Sequence, residues 1–445
     1  KGKDGDDDIV NTFVPSKLHL VSIYGLYPDY ENKVIINVSG EEKELTIKTD
    51  KLPDNLKNAD VIKQVSDDFY FTTSNEIDGV PIAYDKNGHI RWYLTKSYGW
   101  DFTRLSNGYL LLGNCDLVKD PYYSSGLVEL DLLGKIYFEY NLPGGYHHDV
   151  YEKTDGNLIA ISNNLNSDTK EDLIVEIDRN NGQIIKTFDL NKLLKNNEKN
   201  NWLSLNSVVF NSETNSILAV GSKKDMIINI DYATAEVNWI IADENKVNDK
   251  FKKYLIQGSD IEFPIKPQAI TLTGKNTLAH INDKDGENHL IEYEVNIRDR
   301  SFKEIRNTNL GKSAENTNID YNNDTFLIVQ DKIIKMLTNN ELISIIESDH
   351  NLYSAKATKM YAGDIFMTGN SMRVGSTGIT PTIDDRPVIF HTKDPNIFKK
   401  YNLKLANDEA LRKKLGQNAL LRSREFSSEK MAEKYIKIYK GEEKW

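Results

Sequence analysis

A turn motif that recurs at intervals of 42 to 65 residues constrains the fold of this chain more than any other feature. Each copy consists of a β-forming run, an Asp-like turn residue and a second apolar run. The turn positions are spaced by 46, 47, 53, 65 and 42 residues and hold Asp85, Asp131, Asp178, Asp231, Asn296 and Thr338. Units of ~40–50 residues with about four strands are typical of β-propellers. Six such units fit, so we predict an all-β, six-bladed propeller over residues 60–385. A large β-sandwich and a β-solenoid are the alternatives.

Residues 1–55 precede the first repeat and also have a β pattern. Apolar residues alternate or cluster in Leu18–Ile23, Lys33–Val38 and Lys43–Ile47, and turn residues separate these runs. Three or four strands form a poor independent domain, because a small sheet needs a second layer to bury its apolar face. We therefore predict that residues 1–55 are part of a β-sandwich.

Composition excludes several classes of function. The net charge of −11 argues against a nucleic-acid partner, which needs a basic surface. No apolar run reaches the ~20 residues that span a bilayer. Cys115 is the only cysteine, so an intrachain disulfide and a cysteine-rich zinc site are excluded. The charged start Lys1–Asp8 has no apolar signal core, so the chain is cytoplasmic or its signal has been removed. We predict no cofactor, and the sequence leaves the oligomeric state open.

The segment Gly144–Val150 gives the best indication of chemistry, because it places two of the eight histidines side by side. Adjacent residues of an extended strand point to opposite faces, so we expect one imidazole to face the propeller channel. There it could bind an anionic oxygen. Alternatively, the histidine is structural and bonds Asp149 or a backbone carbonyl. We predict no metal site, since no His, Asp or Glu partner has a suitable spacing.

Several segments resemble the bacterial aryl-sulfate sulfotransferases that need no nucleotide sulfate donor. They are Gly25–Tyr30, Ala83–Gly88, Asp131–Lys135 and, most closely, Gly144–Val150. The resemblance implies an N-terminal Ig-like domain, a six-bladed propeller with its site in the central channel, and an extracytoplasmic location. It also implies a ping-pong reaction in which a histidine takes a sulfuryl group from an aryl sulfate and passes it to a phenol.

By this resemblance His148 and Asn206 are the catalytic residues that remain. Three other family positions have changed: Ser204 stands where the family has a histidine, Ser222 where it has an arginine, and Ala269 where it has the nucleophilic histidine. We therefore expect an aryl-sulfate sulfotransferase-like protein with reduced or lost activity. The alternative is a non-catalytic propeller that acts as a ligand-binding or surface-interaction module.

The remaining site predictions concern substrate binding. His147, Tyr123 and Tyr353 are expected to contact a small aryl sulfate, a phenol or another anionic ligand, since aromatic side chains can stack on a phenolic ring. Asn206 either donates its amide to a sulfate oxygen or caps a strand end. The pair Lys223-Lys224 could replace the lost arginine, although solvated lysines are the simpler interpretation.

Residues 386–445 have a different character from the rest of the chain. Apolar residues recur with helical period over Ala406–Tyr439, and the pattern breaks near Phe426, where Ser427 can cap a second helix. We therefore predict a C-terminal helical hairpin. This short tail resembles the extreme C-terminus of two-domain glycosyltransferases, but nothing upstream resembles a nucleotide-sugar domain, so the resemblance implies no such activity.

Overall fold

A computed structural model describes most of the chain up to residue 362. The described residues are 1–3, 6–13, 21–63, 68–74, 79–119, 122–258, 261–362, 382–383, 386–387, 409–410 and 413. The chain divides into two compact units, Lys1–Met372 and Arg373–Trp445. The first unit is almost entirely β. Its described helices are α1 (Leu190–Leu193), α2 (Asp249–Lys252) and the 3-10 turn Ser222–Lys224.

The strands follow one another closely along the first unit. The first fourteen are β1 (Glu31–Val38), β2 (Glu41–Lys48), β3 (Asp60–Lys63), β4 (Phe69–Ser74), β5 (Ile82–Tyr84), β6 (Ile90–Tyr93), β7 (Gly99–Arg104), β8 (Leu110–Gly113), β9 (Leu117–Lys119), β10 (Tyr123–Leu130), β11 (Ile136–Glu152), β12 (Leu158–Ser162), β13 (Leu173–Ile177) and β14 (Ile184–Asp189). The next fourteen are β15 (Leu205–Asn211), β16 (Ser216–Gly221), β17 (Met226–Asp231), β18 (Val237–Ile241), β19 (Gln257–Gly258), β20 (Gln268–Leu272), β21 (Thr277–Lys284), β22 (Glu287–Asn296), β23 (Ser301–Lys312), β24 (Thr317–Asn322), β25 (Thr325–Gln330), β26 (Ile333–Thr338), β27 (Glu341–Glu347) and β28 (Leu352–Thr358). In the second unit, β29 (Thr382–Ile383) pairs with β30 (Arg386–Pro387).

These strands form sheets in a β-propeller arrangement, and their pairing is antiparallel except between β19 and β23. The sheet orders are β28-β4-β5-β6, β14-β13-β12-β11-β10-β8-β7, β15-β16-β17-β18, β19-β23-β22-β21-β20 and β24-β25-β26-β27-β3. The innermost strands contact one another in a closed ring, in the order β7, β11, β15, β20, β24, β28 and back to β7. The 17-residue β11 takes part in two groups of strands, which is why the second sheet is the largest.

The ring is closed by pairing strands from opposite ends of the first unit. β28 pairs with β4, with Leu352 opposite Ser74, and β27 pairs with β3, with Glu347 opposite Asp60. Both closures therefore use backbone ladders between strands from opposite ends of the first unit.

The recurring turn residues each close a hairpin at the outer end of a sheet. Asp85 accepts hydrogen bonds from the backbone N–H groups of Asn87 and His89 at 2.9 Å, and Asp131 does the same for the second and fourth residues after it. Asp178 and Asp231 also accept from backbone N–H groups of their own turns. An aspartate carboxylate can thus replace the missing ladder partners of a tight turn, which explains the recurrence of this residue type.

In the N-terminal part, two of the three predicted β runs form strands. β1 and β2 form a two-stranded antiparallel sheet, while Val21–Ile23 is not a strand, and the earlier part of the predicted run lies outside the described residues. The reason is a contact with a side chain from the other end of the first unit. The Tyr361 hydroxyl donates to the carbonyl of Ser22 and accepts from the N–H of Tyr24, so these backbone groups are bonded to a side chain instead of a neighbouring strand.

The predicted C-terminal hairpin lies almost wholly outside the described residues. Within it, Glu409, Ala410 and Lys413 are helical. Among the described helices, none combines the length and the apolar character needed to cross a membrane.

Candidate functional site

Five innermost strands break their pairing register close to one end of the ring. The shifts lie between Gly99 and Thr103 on β7, Tyr146 and Val150 on β11, Leu205 and Ser207 on β15, Gln268 and Ile270 on β20, and Leu352 and Ser354 on β28. A bulge re-aims the side chains next to it and is over-represented beside active sites. Three residues in these shifts have a positive φ: Trp100 at 64°, His148 at 65° and Ala269 at 42°. The equivalent segments of successive inner strands therefore direct side chains towards the same end of the central channel.

A cavity of about 120 Å³ lies at this end, the mouth of the channel. Residues from five inner strands and the segment before β24 line it, among them His148, Asp149, Asn206, Gln268, Ala269 and Tyr353. Three of the predicted site residues thus meet in one cavity: His148, Asn206 and Tyr353. Ala269, which the resemblance aligned with the nucleophilic histidine of the family, lies in the same cavity.

The two histidines contact each other, contrary to the expectation that they point to opposite faces. Their Nδ1 atoms are 2.7 Å apart, so one imidazole donates an N–H to the other. The physical reason is the positive φ of His148, which removes the strand alternation on which the prediction was based. Burial lowers the pKa of His148 to about 4 and that of His147 well below its ordinary value, so both rings are neutral at pH 7.

His147 and Tyr123 lie behind the cavity rather than in its wall. His147 is fully buried, and its ring packs on Tyr123 at 5.5 Å between centroids. The Tyr123 hydroxyl donates to Glu171 at 3.0 Å, and Tyr122 donates to the same carboxylate oxygen. Glu171 is only 2% exposed. Tyr122, Tyr123 and Glu171 therefore form a hydrogen-bonded group that packs behind the histidine pair.

An aromatic cluster stands beside the cavity. The Trp100 ring lies 4.7 Å from His148, 5.1 Å from Tyr353 and 5.4 Å from Tyr122. Trp100 is partly exposed, while Tyr353 is 9% exposed and lines the cavity itself. The cavity therefore combines a polar floor with an aromatic wall.

Asp149 accepts two hydrogen bonds at the cavity. Its Oδ2 accepts from Ser207 Oγ at 2.7 Å and from the N–H of Val208 at 2.8 Å, and Ser207 in turn accepts from the N–H of Ile270. This chain of bonds joins β11, β15 and β20. The carboxylate therefore accepts hydrogen bonds from the neighbouring sheet. The alternative in which a histidine bonds Asp149 is not what the structure shows. Burial and then the negative charge of Asp101 raise the pKa of Asp149 to about 7.

Further charged groups lie along the inner strands. Asp101 is 5% exposed and accepts from Thr103 and Asn318. Lys356 bonds Asp320 at 2.6 Å. Burial alone would lower the pKa of Lys356, but Asp320, Asp101 and Asp149 raise it above its ordinary value. One lysine is thus shared by three carboxylates.

At the three positions where the sequence differs from the pattern that the resemblance implies, the side chains are small. Ser204 bonds Glu171 at 3.3 Å, and Ala269 has only a methyl group. Near Ser222, Lys223 bonds the carbonyl of Asn201, and Lys224 is paired with Glu198 at 2.7 Å. These lysines are therefore held on the loop and do not line the cavity.

Asn206 occurs within the β15 bulge. Its side chain lines the cavity, and its Oδ1 is buried without a hydrogen bond to any described residue. The strand-capping alternative has no support in this arrangement, because the amide oxygen caps no described backbone group.

A possible cation cluster lies elsewhere, at the outer turn of the first sheet. In the described part of the chain, Asp6, Asp85 and His89 are the one group of three such side chains whose ligand atoms fall within 4.8 Å of one another. Arg91 already pairs with Asp85 at 2.9 Å, and Tyr27 donates to Asp6. The carboxylates therefore have protein partners.

Sequence reasoning missed Trp100, Asp101 and Lys356. Each lies on an innermost strand, but a propeller repeat does not by itself say which residues of a strand face the channel. The available signal was positional: Trp100-Asp101 in β7 lies at the same end of the ring as His148-Asp149 in β11.

These features define a β-propeller protein with a polar site at the mouth of its central channel. The family model of arylsulfotransferase (ASST) matches residues 55–326, which is more than half of the chain. The chain therefore belongs to the arylsulfotransferase family. A search of curated proteins gave no match.

Similar solved structures are distant. A putative 6-phosphogluconolactonase from Bacteroides fragilis is 16% identical over 72% of this chain and 90% of its own, with a TM-score of 0.41. The β-propeller domain of Cps50 (Swd1) from Myceliophteria thermophila is 13% identical over 68% and 89%, with a TM-score of 0.37. The periplasmic gluconolactonase PpgL of Pseudomonas aeruginosa is 9% identical over 75% and 98%, with a TM-score of 0.38. At these values the likenesses carry no argument about function.

Proposed function

We propose that this protein is a divergent arylsulfotransferase in which sulfuryl transfer is slow or lost and the channel cavity serves as a ligand-binding site. Family membership supports an arylsulfotransferase-like function in general and suggests aryl sulfates and phenols as substrates. The finer assignment depends on the residues of the cavity.

The observation that carries the proposal is the side chain at position 269. Covalent transfer needs a nucleophile facing the donor, and the cavity presents a methyl group there. It also needs cationic or N–H donors for the sulfuryl oxygens. Of the described residues that line the cavity, none is Lys or Arg, and Asp149 and Glu315 are acidic.

His148 is the remaining candidate acceptor for a sulfuryl group. It is neutral at pH 7, and its Nδ1 is engaged with His147, so Nε2 is the atom left to react. However, Asp149 follows it directly and lines the same cavity, so a sulfate would meet a carboxylate there. We therefore assign His148 and Asn206 to ligand binding, with His147 and Tyr123 as their backing and Tyr353 as an aromatic wall.

The test is release of 4-nitrophenol from 4-nitrophenyl sulfate in the presence of a phenol acceptor. We expect a rate indistinguishable from the buffer rate. A matched variant restores the family pattern through Ala269→His, Ser204→His and Ser222→Arg; groups that act as a unit are strongly non-additive, so only the triple change is expected to gain activity. Turnover by the wild type well above buffer, and abolished by His148→Ala, would refute the proposal.

We also propose the finer architecture. The ring of six innermost strands supports a six-bladed propeller over residues 60–385. The hairpin of β1 and β2 supports assigning residues 1–55 to a partial Ig-like β-sandwich, and the helical residues near Glu409 support a helical tail over residues 386–445. An extracytoplasmic location is proposed from the family alone.

A further inference from the structure

The charge of the channel cavity is opposite to that of a sulfate-binding site. Among the described residues, eleven line the cavity, and they include Asp149 and Glu315 but no Lys or Arg. His148 is neutral above about pH 4, so it adds no positive charge at neutral pH. A negatively charged ligand would therefore lose its hydration without gaining a counter-ion.

The charged groups behind the cavity do not reverse this sign. Asp101, Asp149 and Asp320 share Lys356, and the ammonium of Lys356 is bonded to Asp320 at 2.6 Å. When all four groups are ionised, this set carries an excess of negative charge. Such an excess in a partly buried cavity is unfavourable unless a cation is bound, because like charges interact strongly where water is scarce.

The cavity wall also offers hydrogen-bond acceptors and an aromatic face. Asn206 Oδ1 makes no hydrogen bond to any described residue, so it is available to a donor on a ligand. Tyr353 lines the cavity, and the centroid of the Trp100 ring lies 5.1 Å from that of Tyr353. Aromatic faces attract cations, and they pack well against an aromatic ligand.

An organic cation fits this site better than a metal ion does. Calcium takes about six to eight oxygen ligands. Within the described residues, the one convergent group of three possible ligands lies at Asp6, far from this cavity in the chain and not in its lining. Asp149 already accepts two hydrogen bonds on Oδ2. An ammonium group needs only one carboxylate and one or two further acceptors.

We propose that the channel cavity binds the ammonium group of a small arylalkylamine. The Asp149 carboxylate is its counter-ion, Asn206 accepts one of its N–H groups, and its ring lies beside Tyr353 and Trp100. A cavity of about 120 Å³ holds the ammonium end, and the ring extends towards the mouth. The inference builds on the proposed function, since it names the ligand class of a channel that has lost sulfuryl transfer.

The test uses three probes that share one ring and differ in charge. They are 2-phenylethylamine, 2-phenylethanol and phenylacetate, measured by isothermal titration calorimetry at about pH 8. We expect the amine to bind at least tenfold more tightly than the alcohol, and phenylacetate and calcium chloride to show no binding. None of the probes has a sulfate or a phenolic hydroxyl, so the result is independent of whether the protein turns over 4-nitrophenyl sulfate.

Variants locate the binding in the cavity. Asp149→Asn keeps acceptors for Ser207 and Val208 and should weaken amine binding at least tenfold, while Glu315→Gln should weaken it less. Asp54→Asn removes an exposed carboxylate far from the cavity lining and should leave binding unchanged. If Asp149→Asn fails to fold, Glu315→Gln and the three probes still decide the outcome.

Binding should also depend on pH in a defined direction. Asp149 must be ionised to pair with the amine, so affinity should rise from about pH 6 to about pH 8, through its pKa of about 7. The charged groups around it are Asp101 on β7, Lys356 on β28 and Glu315 in the cavity lining. Lys356 also pairs with Asp320 on β24, and His148 stays neutral over this range. Equal or tighter binding of phenylacetate, calcium binding without amine binding, or amine binding that Asp149→Asn leaves intact would each overturn the proposal.

Discussion

Two clusters of buried charged side chains differ in how their charges are balanced. Between β10, β11 and the turn after β13, Arg179 pairs with Glu129 at 2.8 Å and with Glu152 at 2.6 Å, and Tyr140 donates to Glu129. Every group there is bonded within the protein. In the channel, Asp101, Asp149 and Asp320 share a single lysine.

The difference separates a structural role from a binding role. In the Arg179 cluster, the guanidinium bridges two carboxylates in a fixed geometry, and no group is left to interact with a ligand. In the channel, burial and then the negative charge of Asp101 raise the pKa of Asp149 to about 7, so its ionised carboxylate is unfavourable beside the cavity. An arrangement of this kind is typical of functional sites. The predictions below test this contrast.

The largest effect is expected from breaking the balanced cluster. Arg179→Met removes the guanidinium that pairs with the buried Glu129 and the partly buried Glu152. Removing one partner of a buried pair costs about 3–5 kcal/mol. Urea denaturation at neutral pH should show this loss in the free energy of unfolding. The matched control is Lys303→Met, which removes an exposed pair with Glu294 and should cost about 1 kcal/mol or less. Equal losses in both variants would contradict the assigned role of Arg179.

A pH-dependent effect is expected from removing the excess charge in the channel. The pKa of Asp149 is about 7 in the folded protein and near 3.8 in the unfolded chain, so the folded state holds the proton more tightly. The contribution of this group to stability therefore falls as pH rises from about 4 to about 7. Asp149→Asn should remove that decline in the free energy of unfolding. The stability of the variant minus that of the wild type should therefore be larger at about pH 8 than at about pH 4. Unfolding midpoints across this range test the prediction, and an unchanged slope in the variant would count against it.

The smallest effect concerns a buried histidine outside both clusters. His280 is fully buried against Tyr293, and burial lowers its pKa to about 3. Its contribution to stability is present above the unfolded pKa of 6.5 and is lost as pH falls towards 3. His280→Phe should change stability by less than about 1.5 kcal/mol at pH 8, as volume-conserving core changes do. Acid unfolding of the variant should begin at a lower pH, and an identical acid midpoint would contradict the assignment.

The sequence predicted the all-β propeller because its turn chemistry is local. Asp85 and Asp131 bond the backbone of their own turns, so the same residue type returns wherever the same hairpin is built. The strands between the turns are continuous apolar runs such as β16, in which every residue is buried. Neither feature depends on contacts between distant parts of the chain.

The arrangement of the site depends on such contacts and could be predicted only in part. His148 and Asn206 were found through the family resemblance and Tyr353 through its place at a blade entry, and all three share the cavity. The contact between the two imidazoles depends on a positive φ at His148, a backbone conformation that non-glycine residues rarely adopt and that no pattern in this sequence signals. The shared lysine brings together strands that lie more than 200 residues apart, so it was not visible in the sequence.

Under the proposed function, this propeller does not form a covalent sulfuryl intermediate. Intact-protein mass spectrometry after incubation with 4-nitrophenyl sulfate, without an acceptor and before any acid treatment, tests it most directly. The wild type should keep its mass, while the triple variant Ala269→His, Ser204→His, Ser222→Arg should gain one SO₃ on residue 269 if the channel shape is retained. Gain of one SO₃ by the wild type, with peptide mapping to His148, would contradict the account and show that a different histidine has taken over the reaction.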